Sequence, residues 1–140
     1  MRGTRPIGPF FPEAKVGAII DAVAETLKID ARLVRATMMA ESGGNPNAVG
    51  DQERSFGLMQ LNIGSFPNMA RGLDPIANLV LGIVHLAEKI KRFGPELGMV
   101  RYMGTGPAAE ARGAARWQYA MGLPTGRVEP SEAFLAQRGG

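Results

Sequence analysis

A mostly α-helical domain with one small β-hairpin or flap is the fold class this sequence predicts, and three observations carry it. Apolar residues recur at helical spacing in several stretches between Pro12 and Met121. That period disappears between Asn45 and Asn62, where the turn pairs Asn45-Pro46 and Gly50-Asp51 flank short apolar pieces, Ala48-Val49 and Phe56 to Leu61. The chain has 140 residues, 45% hydrophobic and 21% charged, with no cysteine, which fits one globular domain that needs no disulfide support.

Residues 1–11 contain Gly3, Pro6, Gly8 and Pro9 and read as an extended arm. From Pro12 the spacing of Val16, Ile19, Ile20, Val23 and Leu27 predicts a first helix, with Pro12 and Glu13 suited to its first turn. Asp30 can cap a second helix that runs through Leu33, Val34, Thr37 and Met38 to Glu41 and stops at Gly43-Gly44. After the flap, a brief helical turn is expected around Pro67 to Arg71. Asp74-Pro75 supplies the cap and first position of the longest helix, which ends near Phe93 before Gly94-Pro95. Its apolar residues cover most of the circumference, so it is expected to be central and buried. Pro95 to Met103 reads as a shorter helix, and Thr105-Gly106-Pro107 opens an alanine-rich one through Met121. That makes about six helical segments, a domain over residues 12–122 and a Gly- and Pro-containing tail over 123–140, with a further helical turn after Ser131.

Composition narrows the chemistry. Without cysteine there is no thiol nucleophile or sulfur-ligated metal, and a lone histidine, His85, cannot supply a multi-histidine metal site. No metal and no cofactor are expected, and carboxylate chemistry is the main option left. His85 itself reads as an ordinary surface or groove histidine. The formal charge of +3 mildly favours an anionic polymer. The N-terminus lacks the apolar run of a secretory signal, and nothing reaches membrane-spanning length, so membrane insertion is not expected.

Glu41 is the carboxylate of interest. At about 100° per residue it falls between Leu33, Val34, Thr37 and Met38, opposite Arg32 and Arg35. With no obvious cation beside it on its own helix, it is expected to lose hydration and favour the protonated form, as a general acid requires. The alternative is a frayed last turn that points Glu41 into solvent. The stretch Ser55 to Leu61 adds a glycine for close backbone approach and an amide for hydrogen bonding, both suited to a sugar site.

Three ordered elements resemble the transglycosylase SLT domain of lytic transglycosylases, which is related in fold to goose-type lysozyme. Met39-Ala40-Glu41-Ser42-Gly43-Gly44-Asn45-Pro46-Asn47-Ala48-Val49 is similar to the family's Glu-Ser segment and the turn that follows it. Ser55-Phe56-Gly57-Leu58-Met59-Gln60-Leu61 is similar to its Gly-Leu-Met-Gln segment. Asp74 to Leu79 with Gly82 and Leu86, continuing to Arg101-Tyr102-Met103-Gly104-Thr105-Gly106-Pro107, resembles its Asn-containing helix and Ala-Tyr-Asn-Ala-Gly segment, with Met103 where the family usually has asparagine. The resemblance spans roughly residues 30–122. It implies a lysozyme-like α+β domain that cleaves the bond between N-acetylmuramic acid and N-acetylglucosamine in peptidoglycan. Glu41 would be its catalytic acid and base, and the product would have 1,6-anhydro ends. It also implies substrate contacts from Ser42, Gly57, Leu58, Met59, Gln60, Asn78 and Tyr102, with Tyr119 matched to a later family tyrosine. Ser42 would support Glu41.

Other readings stay open on the sequence. A hydrolytic muramidase could use Asp51 or Glu53 on the flap to orient water. A non-catalytic glycan-binding component of a phage tail or secretion assembly is prompted by Met103. Nucleic-acid binding fits poorly, since the second helix offers only Arg32 and Arg35 as cations and ends in an acid. Peptidoglycan strands are the expected partner, with phage tail or virion proteins as further candidates. A tail-associated virion enzyme, or one released to the host periplasm and cell wall, is the expected location; a secretion-system enzyme or one domain of a longer polypeptide has the same features.

Overall fold

Five α-helices and a three-stranded sheet form the described part of the protein, residues 13–123 of a computed structural model. The arm read over residues 1–11, the tail beyond residue 123 and the turn expected after Ser131 lie outside the described residues.

Helix α1 (Glu13–Leu27) buries Val16, Ile20 and Ala24, one side chain per turn, which is the stripe its sequence spacing requires. Helix α2 (Ala31–Ser42) starts where the Asp30 side chain accepts the Arg32 N–H and ends where Gly43, at φ 64°, turns left-handed and donates to the Met39 carbonyl. Helix α3 (Pro75–Phe93) is capped by Asp74, which accepts from the Ala77 N–H. Helices α4 (Pro95–Met103) and α5 (Pro107–Met121) each begin on a proline whose missing N–H needs no partner at that position.

The core lies where α3 meets α1, α4 and the sheet. Leu79, Ile83 and Leu86 of α3 pack with Leu33 and Met38 of α2, Met99 of α4 and Ala120 of α5. Two glycines let the last three helices touch backbone to backbone. A methyl group on Gly98 would come within 2.6 Å of the Ile90 Cα on α3, and one on Gly113 within 2.9 Å of the Val100 Cα on α4. The cleft described below is cut into this packed set.

Some expectations change. The flap is a three-stranded antiparallel sheet, β1 (Val49–Gly50), β2 (Ser55–Phe56) and β3 (Leu61–Asn62), with Val49 opposite Phe56 and Ser55 opposite Asn62. Strands of two residues show no alternation, so the apolar piece Phe56 to Leu61 hid a turn with a strand residue at each end. The short helical turn is 3-10 and sits at Ala70–Gly72, after Pro67. α3 is central but not buried all round, since Ile76 is 38% exposed and Val80, Leu81 and Val84 are half-buried.

Candidate active site

A cleft of about 560 Å³ opens between the sheet and helices α2 to α5. Glu41 lines it from the last turn of α2, with Gln60 and Asn62 from the sheet, His85 from α3, Tyr102 from α4 and Arg116 from α5. Residues from five separate elements meet there, and the sequence motifs supplied three of those named, Glu41, Gln60 and Tyr102.

Glu41 is half-buried, and its Oε2 accepts a hydrogen bond from Arg116 Nη1 at 2.9 Å. No cation of its own helix pairs with Glu41; this guanidinium comes from α5, which a wheel of α2 cannot reveal. Oε1 makes no hydrogen bond among the described residues, so it is the oxygen left for a ligand. Arg35, placed on the polar side of the same wheel, is buried, with Nη1 2.8 Å from Asp21 on α1.

The floor of the cleft is held from behind. Gly57, at φ 86°, occupies a turn where a Cβ would lie 2.3 Å from the Asn78 amide nitrogen, so only glycine fits. Asn78 clamps that turn twice, accepting from the Met59 N–H at 2.9 Å and donating to the Phe56 carbonyl at 2.8 Å. Tyr102 donates its hydroxyl to the Met59 carbonyl at 2.9 Å. Burial, reinforced by the negative Glu41 nearby and only partly offset by Arg116, pushes the Tyr102 phenol well above the ordinary tyrosine range. It therefore remains an O–H donor at any physiological pH.

These contacts sort the site residues expected from the sequence. Glu41, Gln60 and Tyr102 face the cleft. Leu58, Met59 and Asn78 are buried, with no more than 2% exposure, so they shape the floor and present almost no surface to a ligand. Gly82 makes room for that floor, since a Cβ there would meet Met59 Cβ at 2.3 Å. Ser42 bonds to the end of α2, donating to the Met38 carbonyl at 3.1 Å and accepting the Gly44 N–H at 3.1 Å. Neither of these bonds reaches Glu41. Tyr119 packs beside Trp117 against the core and does not line the cleft. The Gln60 amide nitrogen is spent on the Ala48 and Gly57 carbonyls, at 3.0 and 3.1 Å, which leaves its Oε1 as the group available to a ligand.

His85 is a groove histidine. Its ring lies 5.5 Å from that of Phe66 and 5.3 Å from that of Tyr102, and burial together with the charge of Lys89 holds it below the usual histidine range. Met103 also lines the cleft, so an apolar thioether faces the ligand space at the position of the expected asparagine. Of the two flap acids, Asp51 lines the cleft and accepts from Asn62 Nδ2 at 2.9 Å, whereas Glu53 does not reach it. Among the described residues no group of histidines, cysteines and acids could hold a metal ion, and no helix is long and apolar enough to cross a membrane.

The sequence reading missed Arg116. Its only signal was Arg112 four residues earlier, a charged stripe on an otherwise alanine-rich helix. Among known families, the model described as the transglycosylase SLT domain matches residues 18–118. No curated protein and no solved structure matches the chain.

Proposed function

Because the chain belongs to the transglycosylase SLT domain family, a family of lytic transglycosylase-type cell-wall glycan cleavage, we propose that it is a peptidoglycan lytic transglycosylase with Glu41 as its single acid and base. The observation that carries this reading is the Glu41 carboxyl in the cleft, one oxygen fixed by Arg116 and the other unengaged. Glu41 protonates the oxygen that links N-acetylmuramic acid to N-acetylglucosamine, and the C1–O bond breaks. The resulting carboxylate then removes the proton from the C6 hydroxyl of the same muramic acid. That oxygen bonds to C1, closing a 1,6-anhydro ring, and the carboxyl is regenerated without water. One residue serves both steps, so no second carboxylate is needed as nucleophile. Arg116 has only donors. It therefore holds Oε2 as an acceptor and leaves the proton traffic to Oε1. Tyr102, Gln60 and Met103 wall the sugar, while Gly57, Leu58, Met59 and Asn78 fix the floor beneath it.

One observation favours a second reading. Asp51 shares the cleft with Glu41, where an acid could orient water for hydrolysis. Mass spectrometry of fragments released from purified sacculi separates the two: anhydro ends are expected, and reducing ends would replace this mechanism with the hydrolytic one. Glu41→Gln should lower the release rate by about 10²- to 10⁴-fold with an unchanged melting temperature. A fully active Glu41→Gln protein would remove the assignment.

A further inference from the structure

Four cations line the cleft against two carboxylates: Lys89 from α3, Arg101 from α4, and Arg112 and Arg116 from α5, facing Glu41 and Asp51. Arg116 is matched by Glu41. Lys89, Arg101 and Arg112 form no ion pair among the described residues. Arg101 is held with its guanidinium carbon 5.6 Å from the centre of the Phe93 ring, and its Nη1 is buried without a hydrogen-bond partner among those residues. A carboxylate oxygen is the acceptor that best suits the guanidinium groups lining the cleft.

Helical spacing places two of the three on stripes that face the cleft. Arg112 stands one turn before Arg116 on α5, and Lys89 one turn after His85 on α3, so both project from the stripes that already face the cleft. One turn is about 5.4 Å. The backbone positions of Arg112 and Arg116 therefore stand about one sugar's width apart along α5. A neutral β-1,4 glycan backbone offers three such cations hydroxyl and amide acceptors but no opposite charge. We propose that Lys89, Arg101 and Arg112 form an anion subsite that takes a carboxylate carried by the muramic acid beside the cleaved bond. This rests on the glycan-cleaving reading above. The carboxylate has two sources: the free lactyl group of a peptide-free muramic acid, or the peptide stem where one is attached.

The test is calorimetric binding to the Glu41→Gln protein, which does not consume its ligands. The ligands are neutral chitohexaose, peptide-free glycan strands and peptide-bearing strands. At least one strand type is expected to bind about tenfold or more tightly than chitohexaose. Adding Arg101→Gln and Arg112→Gln should bring that ratio close to one, whereas Lys15→Gln, an exposed change on α1, should preserve it. Arg112→Gln alone, at an exposed position, should lower the ratio even if the Arg101 change disturbs folding. Preference for peptide-free strands assigns the lactyl carboxylate, and preference for peptide-bearing strands alone assigns the stem. A ratio near one in the Glu41→Gln protein, or one that the arginine changes leave intact, overturns the subsite. Failure of the wild-type protein to release fragments from sacculi counts against the glycosidase reading instead, whatever the ratio.

Discussion

Two arginine–carboxylate pairs flank α2, and their settings are opposite. Arg35 meets Asp21 of α1 at 2.8 Å with side chains only 4% and 10% exposed, while Glu41 meets Arg116 of α5 at 2.9 Å with side chains 19% and 13% exposed. The bond lengths hardly differ. The first pair is enclosed between two helices, with Arg35 also donating weakly to the Gly17 carbonyl at 3.4 Å. The second opens onto a cleft from which a ligand can reach one of its oxygens. Geometry alone does not separate a pair that joins helices from one that prepares a reactive group; access does.

Removing Arg35 is the most drastic way to break this comparison. Arg35→Leu leaves Asp21 buried without its partner, and unfolding free energy should fall by about 3–5 kcal/mol, read from denaturant melts. The folded fraction should still cleave glycan at its normal rate. Arg116→Leu should do the reverse, lowering stability by a smaller amount, about 1–2 kcal/mol, because the cleft lets water reach Glu41, while reducing cleavage. Equal stability losses in the two variants would erase the distinction. Gly82→Ala sharpens it by moving the floor without touching either pair. The added methyl meets Met59, so a loss of about 1–3 kcal/mol is expected along with weaker glycan binding, measured by melts and calorimetry.

The smallest effect is a pH dependence on the cleft side. The Tyr102 phenol is held above its unfolded value of about 10, so the folded protein keeps this proton after the unfolded chain has lost it. The stability this contributes is complete below about pH 10 and is lost as pH rises beyond it. Melts of wild type should decline more steeply above that pH than melts of Tyr102→Phe. Parallel declines would show that Tyr102 shares none of the protected character of the core side.

The helices were legible because their ends are chemical. Asp30, Gly43, Asp74-Pro75 and Gly94-Pro95 each satisfy or remove specific backbone groups, and such signals survive without knowledge of the fold. Glu41 and the Gly57 to Gln60 turn were legible as motifs, but the roles within that turn were not. Leu58 and Met59 look like any apolar pair until Asn78 and Tyr102 are seen bonded to the Met59 backbone. Arg116 lay 75 residues from its partner, on a helix whose alanines give no apolar stripe to show which way its charged one faces. Local pattern carries no information about such a meeting.

The cleft draws its acid from α2, its guanidinium from α5, its phenol from α4 and its floor from the sheet. No fragment of the chain can assemble it, so whatever occupies it binds only the folded form and resists unfolding in proportion to the logarithm of its concentration. An occupant acts as a brace across three helices. The free protein is its loosest version, and one held on its polymer should melt later and exchange amide hydrogens more slowly along the cleft-facing turns of α2, α4 and α5.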